Sequence, residues 1–336
     1  MISIKQAKPL VMKCFKKRIV PYLVSSPGIG KSSLGMQIAK ETKYKFIDVR
    51  LAQADPTDLN GFPAIVNGEA TFIPFDIFPT TDTPIPEGYF GWILMLDELS
   101  SCPRSIQAAA YKIILDHKVG NRDLHPKVLI LAAGNGINDN AHVVSMSTAL
   151  QSRMVHLEIG INVQDLIQHA IKAGWDSRVV SFMGYRPELL TKYDPKHNDH
   201  TFACPRTFEM LSNLVNDEPI ISTELVPLLD GTIGKGASVE FRNYCAFFDK
   251  LPTLASVLSD PENVGIPYGA GMVHAFTSML TDGMTVANGD TIMKCVSRLG
   301  MEFQAMCVLG AYNKNPSIEQ CPSIEQWIDV NSARYM

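Results

Sequence analysis

The stretch Ser25-Ser26-Pro27-Gly28-Ile29-Gly30-Lys31-Ser32-Ser33 limits what this chain can fold into more than any other. It follows a short apolar run and opens a helical pattern, which is the setting a phosphate-binding loop requires. Glycines let successive backbone N–H groups turn inward toward phosphate oxygens, and the helix N-terminus adds partial positive charge. In that setting the segment Pro27, Gly28, Ile29, Gly30, Lys31, Ser32 and Ser33 is expected to cradle the phosphates of a nucleotide. Lys31 pairs with the β- and γ-phosphates, and the Ser32 hydroxyl ligates Mg²⁺. The pattern departs from G-x-x-x-x-G-K-[ST] at its first position, which is Ser25. It is not a dinucleotide fingerprint either, since Ser33 stands where G-x-G-x-x-G has its third glycine. An ordinary glycine-rich turn is the competing reading.

A second element answers the first. Ile93-Leu94-Met95-Leu96-Asp97-Glu98 is an apolar strand ending in two acids, 66 residues after Lys31 (97 − 31). An Asp at a strand tip beside the loop can hold Mg²⁺ through Ser32 and water, and the neighbouring Glu98 can orient and deprotonate an attacking water. A solvated acidic pair is the alternative. Val128–Ala133 is a continuous apolar run followed by Gly134-Asn135-Gly136. An amide at such a strand tip, Asn135, can hydrogen-bond a γ-phosphate and a lytic water, or it is a turn residue. Ala149-Leu150-Gln151-Ser152-Arg153-Met154 ends a helix before the fifth strand. Arg153 there either faces a neighbouring subunit or complements the helix dipole.

These motifs sit in an alternating pattern. Strands are expected at 22–25, 46–49, 93–96, 128–132 and 155–159, and helices at 3–18, 31–42, 103–116 and 145–152, the rhythm of a parallel α/β sheet. Phe62–Val66, Asn67-Gly68 and Ala70–Ile73 read as a hairpin, because Asn-Gly suits a tight turn with positive φ. A second hairpin is expected at 118–127. Tyr89, Phe90 and Trp92, just before the acidic strand, are expected to pack. After about residue 160 helical stretches dominate (162–173, 205–216, 238–249, 270–281 and 287–309).

Here a resemblance can be stated. The ordered set of loop, Asp97-Glu98, Asn135, Arg153 and then Cys204-Pro205-Arg206 resembles the AAA+ ATPases, specifically their MoxR-like branch, over roughly residues 5–215. The resemblance implies an AAA+ P-loop NTPase core of α/β class at 1–160, with a parallel sheet and two hairpin insertions. It implies a helical lid at 161–250, followed by a helical extension at 251–336 of unassigned role. It also makes Asn135 sensor 1, Arg153 an arginine finger acting on ATP in the adjacent subunit, and Arg206 sensor 2. The hairpin at 62–73 is similar to the helix-2 insert of that branch, and the one at 118–127 to its pre-sensor-1 hairpin. Gln107 lies in a segment similar to the family's helix after the acidic pair.

What the resemblance implies about function is Mg-dependent ATP hydrolysis in a hexameric ring, driving chaperone-like remodelling of a protein client or partner, such as one with a von Willebrand A domain. The alternative is a nucleic-acid-dependent motor or loader similar to the McrB-like ATPases. A formal charge of −4 argues against the chain as a whole attracting nucleic acid. Local basic residues favour the alternative: Lys13, Lys16, Lys17 and Arg18, and Lys118, Arg122 and Lys127. The first group also reads as charge complementing the end of a helix. A third reading, an assembly switch with negligible turnover, requires a defective catalytic set, whereas Glu98, Asn135 and Arg153 are all present.

The remaining features read as structure. Seven scattered cysteines with no C-x-x-C pair fit reduced thiols rather than a disulfide framework or zinc site. No apolar run approaches the roughly 18 residues of a membrane span, and the N-terminus lacks a leader pattern, so a cytoplasmic protein without a membrane partner is expected. His197-Asn198-Asp199-His200 reads as a solvated loop rather than a metal site. Met272, Met279, Met284, Met293, Met301 and Met306 read as core filler.

Overall fold

In this computed structural model the described residues are 1–136, 144, 146–191, 200–218, 220–248 and 251–335. The chain divides into two compact units, with a boundary between Asn162 and Val163.

The first unit opens with α1 (Ile4–Lys16), β1 (Val20–Val24), α2 (Lys31–Thr42) and β2 (Lys45–Arg50). A short α3 (Pro56–Asn60) leads to the hairpin of β3 (Phe62–Val66) and β4 (Glu69–Ile73). Then come β5 (Trp92–Asp97), α4 (Arg104–Asp116) and the small hairpin of β6 (Lys118–Val119) and β7 (Arg122–Asp123). The unit closes with β8 (Val128–Gly134), α5 (Thr148–Gln151) and β9 (Met154–Glu158).

Five strands form one sheet in the order β2-β5-β8-β1-β9, all pairs parallel. The central strands β1, β5 and β8 are covered on both faces, which is why they read as apolar runs, whereas the edge strands β2 and β9 carry exposed Lys45, Asp48, Arg50, His156 and Glu158. Side chains alternate between the faces. Tyr22, Leu94, Leu96, Ile130 and Ala132 pack with Ile106, Ala110 and Ile113 of α4. Leu23, Ile93, Met95, Leu131 and Ala133 pack with Val11 of α1 and Leu34 and Ile38 of α2. Gly35 lets α2 lie close to the sheet, since a Cβ there would stand 2.9 Å from the Phe46 ring.

The expected α/β class is therefore observed: a parallel sheet with flanking helices, two hairpins and a helical region after it. The Asn-Gly hairpin forms as the residues dictate, with φ of +52° at Asn67 and +83° at Gly68. Two expectations for the first unit need correction. Trp92 is buried in β5, but Tyr89 and Phe90 are 44% and 63% exposed. They precede the strand, in a turn tied down by backbone bonds from Phe90 N to Lys43 O and from Tyr89 N to Pro86 O, so neither shares the core-facing alternation of β5. Of the helix expected at 145–152, residue 145 lies outside the described residues, and among the rest only a short turn forms, Thr148–Gln151.

Among its described residues the second unit contains helices joined by loops and no strand. It contains α6 (Val163–Ala173), α7 (Ser177–Tyr185), α8 (Glu188–Thr191), α9 (Pro205–Val215), α10 (Val226–Ile233) and α11 (Lys235–Phe248). It continues through α12 (Leu254–Ser259), α13 (Ala270–Gly283), α14 (Gly289–Val296), α15 (Met301–Lys314) and α16 (Pro322–Tyr335). The helix expected at 287–309 is two helices, broken at Ser297–Gly300, where Gly300 turns to extended backbone and caps α15. Met284 and Met293 join the buried core of α13–α16, while Met301 is exposed on the first turn of α15. No helix among the described residues is long and apolar enough to cross a membrane.

One polar knot lies inside this unit. His274 Nδ1 on α13 bonds the Tyr244 hydroxyl of α11 at 3.0 Å, and Ser181 Oγ of α7 bonds both Tyr244 and Ser278. Tyr185 stacks on Tyr244. Burial pushes the His274 imidazole down to about 4, against an ordinary value of 6.5. Folding therefore disfavours the bound proton, so this contribution to stability is complete above about pH 6.5 and is lost as pH falls toward 4. Denaturant unfolding across pH 7 to 4.5 is expected to show wild type losing on the order of 2 kcal/mol more than His274→Gln over that window. Equal losses in the two proteins would place the acid sensitivity elsewhere.

Candidate functional site

The strand order places β8 between β1 and β5, so three carboxyl-terminal strand tips meet at one end of the sheet. β1 is also where the chain's progression across the sheet reverses, with β9 on one side and β8, β5 and β2 on the other. The crevice outside the strand tips at such a point is where open α/β sheets bind ligands.

From β1 the chain turns through Ser25–Gly30 into α2. Gly28 and Gly30 carry φ of +78° and +107°, the left-handed region that costs a side chain and suits glycine. Ser25 has no positive φ, so the departure from glycine at the first loop position strains nothing. Its hydroxyl has a use instead, accepting from Lys31 Nζ at 3.0 Å while donating to Ser26 O at 3.0 Å. Lys31 is only 8% exposed. Its ammonium also donates to Ser25 O at 3.0 Å, to Ser26 O at 3.4 Å and to Asn135 Oδ1 at 3.2 Å. These described acceptors are neutral oxygens, and a charged phosphate oxygen forms stronger, charge-assisted bonds with the same ammonium.

Ser32 starts the same helix and donates from Oγ to Asp97 Oδ2 at 2.7 Å. The other oxygen, Asp97 Oδ1, accepts from Glu98 N at 2.8 Å. Glu98 itself adopts φ of +61°, a left-handed conformation rare outside glycine and found where surrounding structure enforces it. The enforcement is visible on both sides: Leu99 N bonds Ala133 O of β8 at 2.9 Å, and Ser101 N bonds Glu98 O at 2.8 Å.

Asn135 follows the tip of β8 and is held by a residue that the sequence did not single out. Ser100 Oγ accepts from Asn135 N at 2.8 Å and donates to Asn135 O at 3.1 Å. Ser100 is 2% exposed, and the Tyr22 hydroxyl, also buried, is its neighbour. Burial raises the Tyr22 pKa above its ordinary value, with the Ser100 hydrogen bond acting in the other direction. A serine two residues after an acidic pair carries no distinguishing pattern, so no local signal could have found it. Gln107 braces the same turn, donating from Nε2 to Val144 O at 3.3 Å and to Leu99 O and Cys102 O at 3.5 Å.

The structure thus brings Lys31, Ser32, Asp97 and Asn135 into direct contact and sets Glu98 beside Asp97. It does not bring Arg153 to them. Arg153 precedes β9, whose first residue Met154 pairs with Val20 at the start of β1, the far end of the sheet from the loop. There its guanidinium donates to Ala149 O at 3.0 Å and lies 5.4 Å from the centre of the Tyr111 ring, on the surface. Arg206 belongs to the second unit, exposed in the first turn of α9, where Cys204 is the N-cap and Pro205 the first helical residue. His197, Asn198 and Asp199 lie outside the described residues. Among the described residues no group of three or more His, Cys, Asp or Glu could hold a metal ion.

Comparison with known proteins returns no matching family model and no matching curated protein. Solved structures do share part of the arrangement. A single-residue variant of Thermotoga maritima RuvB is 16% identical, covering 78% of this chain and 78% of its own, with a TM-score of 0.41. The Thermotoga maritima RuvB Holliday junction branch migration motor is 17% identical over 88% and 86%, with a TM-score of 0.39. A Cytophaga hutchinsonii protein described as a candidate ATPase is 14% identical over 99% and 89%, with a TM-score of 0.35. Overlaps of this size leave the fold to the chain's own strand order and the site to its own geometry.

Gly134 generates a test of that geometry. A Cβ there would stand 2.2 Å from the Tyr22 hydroxyl and 2.6 Å from Ser100 Oγ, both buried. Gly134→Ala is expected to destabilise the protein by about 1–3 kcal/mol, the usual cost of overpacking. Tyr22→Phe in the same chain is expected to recover part of that loss in chemical denaturation. A neutral Gly134→Ala would show that the strand tip is looser than these distances imply.

Proposed function

We propose that this chain is an ATPase of the AAA+ type, close to the MoxR-like branch, that hydrolyses Mg·ATP to remodel a protein client. The observation that carries the reading is the pair of bonds Ser32 Oγ–Asp97 Oδ2 at 2.7 Å and Lys31 Nζ–Asn135 Oδ1 at 3.2 Å. They unite two strand tips and one helix start around a single point, the arrangement phosphoryl transfer needs, since that chemistry is mainly positioning and charge stabilisation.

In this reading the backbone of Pro27, Gly28, Ile29, Gly30, Lys31, Ser32 and Ser33 wraps the phosphates at the N-terminus of α2. Lys31 exchanges its neutral partners for β- and γ-phosphate oxygens. The Ser32 hydroxyl and the Asp97 carboxylate suit Mg²⁺, which takes one or two protein oxygens and keeps the rest of its shell for water and phosphate. When bound, Mg²⁺ supplies neutralisation of the phosphate charge. Glu98 takes the proton of a water whose oxygen attacks the γ-phosphorus as the bond to the ADP oxygen breaks. Asn135, fixed through its backbone by Ser100, holds the γ-phosphate and that water.

Arg153 stands at the wrong end of the sheet to serve its own loop, which favours action on a neighbour's nucleotide. Catalysis then requires a closed ring of copies, for which a hexamer is proposed. Residues 161–250 are read as a lid carrying Arg206 as sensor 2, and 251–336 as an extension. A protein client is favoured by the β3–β4 hairpin, where Phe62 and Ile65 are 63% and 80% exposed and Phe72 and Ile73 add further uncovered apolar surface. Exposed apolar patches of this kind mark protein contacts. A von Willebrand A domain partner remains part of the proposal, as does a cytoplasmic location.

Steady-state turnover with nucleotide-binding titration is the direct test. Glu98→Gln is expected to bind ATP normally and lose about 10²–10⁴ in hydrolysis, the reach of a general base. Undiminished turnover would remove Glu98 from that role and with it the reading of the acidic pair. Arg153→Ala subunits mixed with Glu98→Gln subunits are expected to regain part of the activity that each lacks alone. Absence of recovery across all mixing ratios would count against an arginine supplied between subunits.

A further inference from the structure

The end of the sheet opposite the phosphate loop gathers cations that lie far apart in sequence. The strands begin there in the order β2, β5, β8, β1. Lys43 and Lys45 flank the start of β2, Phe90 precedes β5, Lys127 immediately precedes β8, and Lys16, Lys17 and Arg18 lead into β1. Backbone bonds lock these segments side by side: Phe90 N to Lys43 O at 2.8 Å, Lys45 N to Gly91 O at 2.9 Å, and Trp92 N to Lys127 O at 3.1 Å. Arg18 completes the row, its guanidinium donating to Pro126 O at 3.3 Å. With strands about 4.8 Å apart, four strand starts span roughly 14 Å.

Three properties distinguish this edge from ordinary surface charge. Lys16, Lys17, Arg18, Lys43, Lys45 and Lys127 are all exposed, and among the described residues none forms an ion pair. By contrast Lys118 and Arg122 on the β6–β7 hairpin are paired with Asp123 and Asp82. The chain carries a net charge of −4, so six unpaired cations on one edge are a strong local inversion. Helix-end complementarity accounts for Lys16, but not for Lys45 at a strand start or Lys127 in a loop. Finally, exposed aromatic rings stand within the row: Phe90 and Tyr89, the former tied directly to Lys43. Beside Arg18 a cleft of about 160 Å³ opens, lined among others by His117, Leu124 and His125. The carboxylate in that cleft, Asp123, is the one that Lys118 pairs, and Glu87 is the acid nearest Phe90 in sequence.

We propose that this edge binds the backbone of a single-stranded nucleic acid, with the lysines and Arg18 on successive phosphates and Phe90 stacking on a base. Unpaired cations in a row with an aromatic ring among them are what a single strand meets on proteins that bind it without sequence preference. An acidic protein segment would use the cations and leave the ring idle. The surface is distinct from this chain's own nucleotide site and from the apolar hairpin, so it acts as a tether or a second contact whichever client the motor works on.

The test is fluorescence anisotropy of a labelled 20-nucleotide oligo(dT) with the full chain and no nucleotide, across a salt series, so that its outcome is independent of ATP hydrolysis. Wild type is expected to bind, with affinity falling as salt rises. The triple variant Lys43→Ala, Lys45→Ala, Lys127→Ala is expected to lower the slope of log affinity against log salt by about 2, from roughly 0.7 per phosphate contact on single strands. Phe90→Ala is expected to weaken binding about 5- to 100-fold with little change in that slope. The paired residues serve as the control: Lys118→Ala with Arg122→Ala is expected to change the slope by less than half as much. Thermal melts confirm that the exposed-site variants fold. No oligonucleotide binding at low salt would overturn the proposal, and so would an unchanged slope in the triple variant. Competition by poly-glutamate as strong as that by oligo(dT), with Phe90→Ala indifferent, would overturn it in favour of an acidic protein partner.

Discussion

The seating of β8 between β1 and β5 is the constraint on which the rest of the first unit depends. Because the strands are parallel and in register, their carboxyl ends stop at the same level, and each tip delivers one kind of group. β1 delivers the loop and the start of α2, β5 the two acids, and β8 the amide. The Ser32–Asp97 and Lys31–Asn135 bonds are consequences of that order. The buried Tyr22–Ser100–Asn135 arrangement shows how tightly it is enforced, for Gly134 has no room even for a methyl group. Placement of this kind suits phosphoryl transfer, where little covalent chemistry is asked of the protein and preorganised charge does most of the work.

The same parallel geometry produces the opposite edge. If carboxyl ends assemble the site, amino ends must gather whatever precedes each strand, and here that is lysine, arginine and an exposed aromatic ring. One sheet thus presents two electrostatically different ends, a compact glycine loop around a buried lysine and an open row of unpaired cations. Arg153 lies at the start of β9, at the amino end of the sheet, which is why its proposed role belongs to a neighbour's nucleotide.

Local pattern made much of this legible. Apolar runs bounded by turn residues marked the three central strands, because burial on both faces of a parallel sheet leaves no room for polar alternation, and shorter runs with exposed polar residues marked the edge strands β2 and β9. Asn67-Gly68 marked its hairpin because few other dipeptides tolerate positive φ at both central positions. Lys31 and Ser32 stood out at the helix start after a glycine loop, and Asp97, Glu98 and Asn135 as polar groups at strand ends. Other features escaped for a physical reason. Phe90 and Tyr89 look like core residues by composition, yet the turn before β5 points away from the sheet's alternation. The helix expected at 287–309 shows apolar periodicity across Ser297–Gly300, but the Gly300 backbone is extended and stops it. Ser100 carries no signal, because its importance is a hydrogen bond to a residue 35 positions away.

The sequence by itself determined the elements and their chemistry: which segments extend, which coil, and which polar residues sit at the ends of apolar strands. Those are consequences of side-chain periodicity and backbone permissiveness, which are local. The tertiary structure alone decided what meets what. Strand order is a non-local outcome of packing both faces of one sheet, and no local pattern encodes that β8 lies between β1 and β5. That order joins Ser32 to Asp97 and Lys31 to Asn135, and it lines up Lys43, Phe90, Lys127 and Arg18 along one edge.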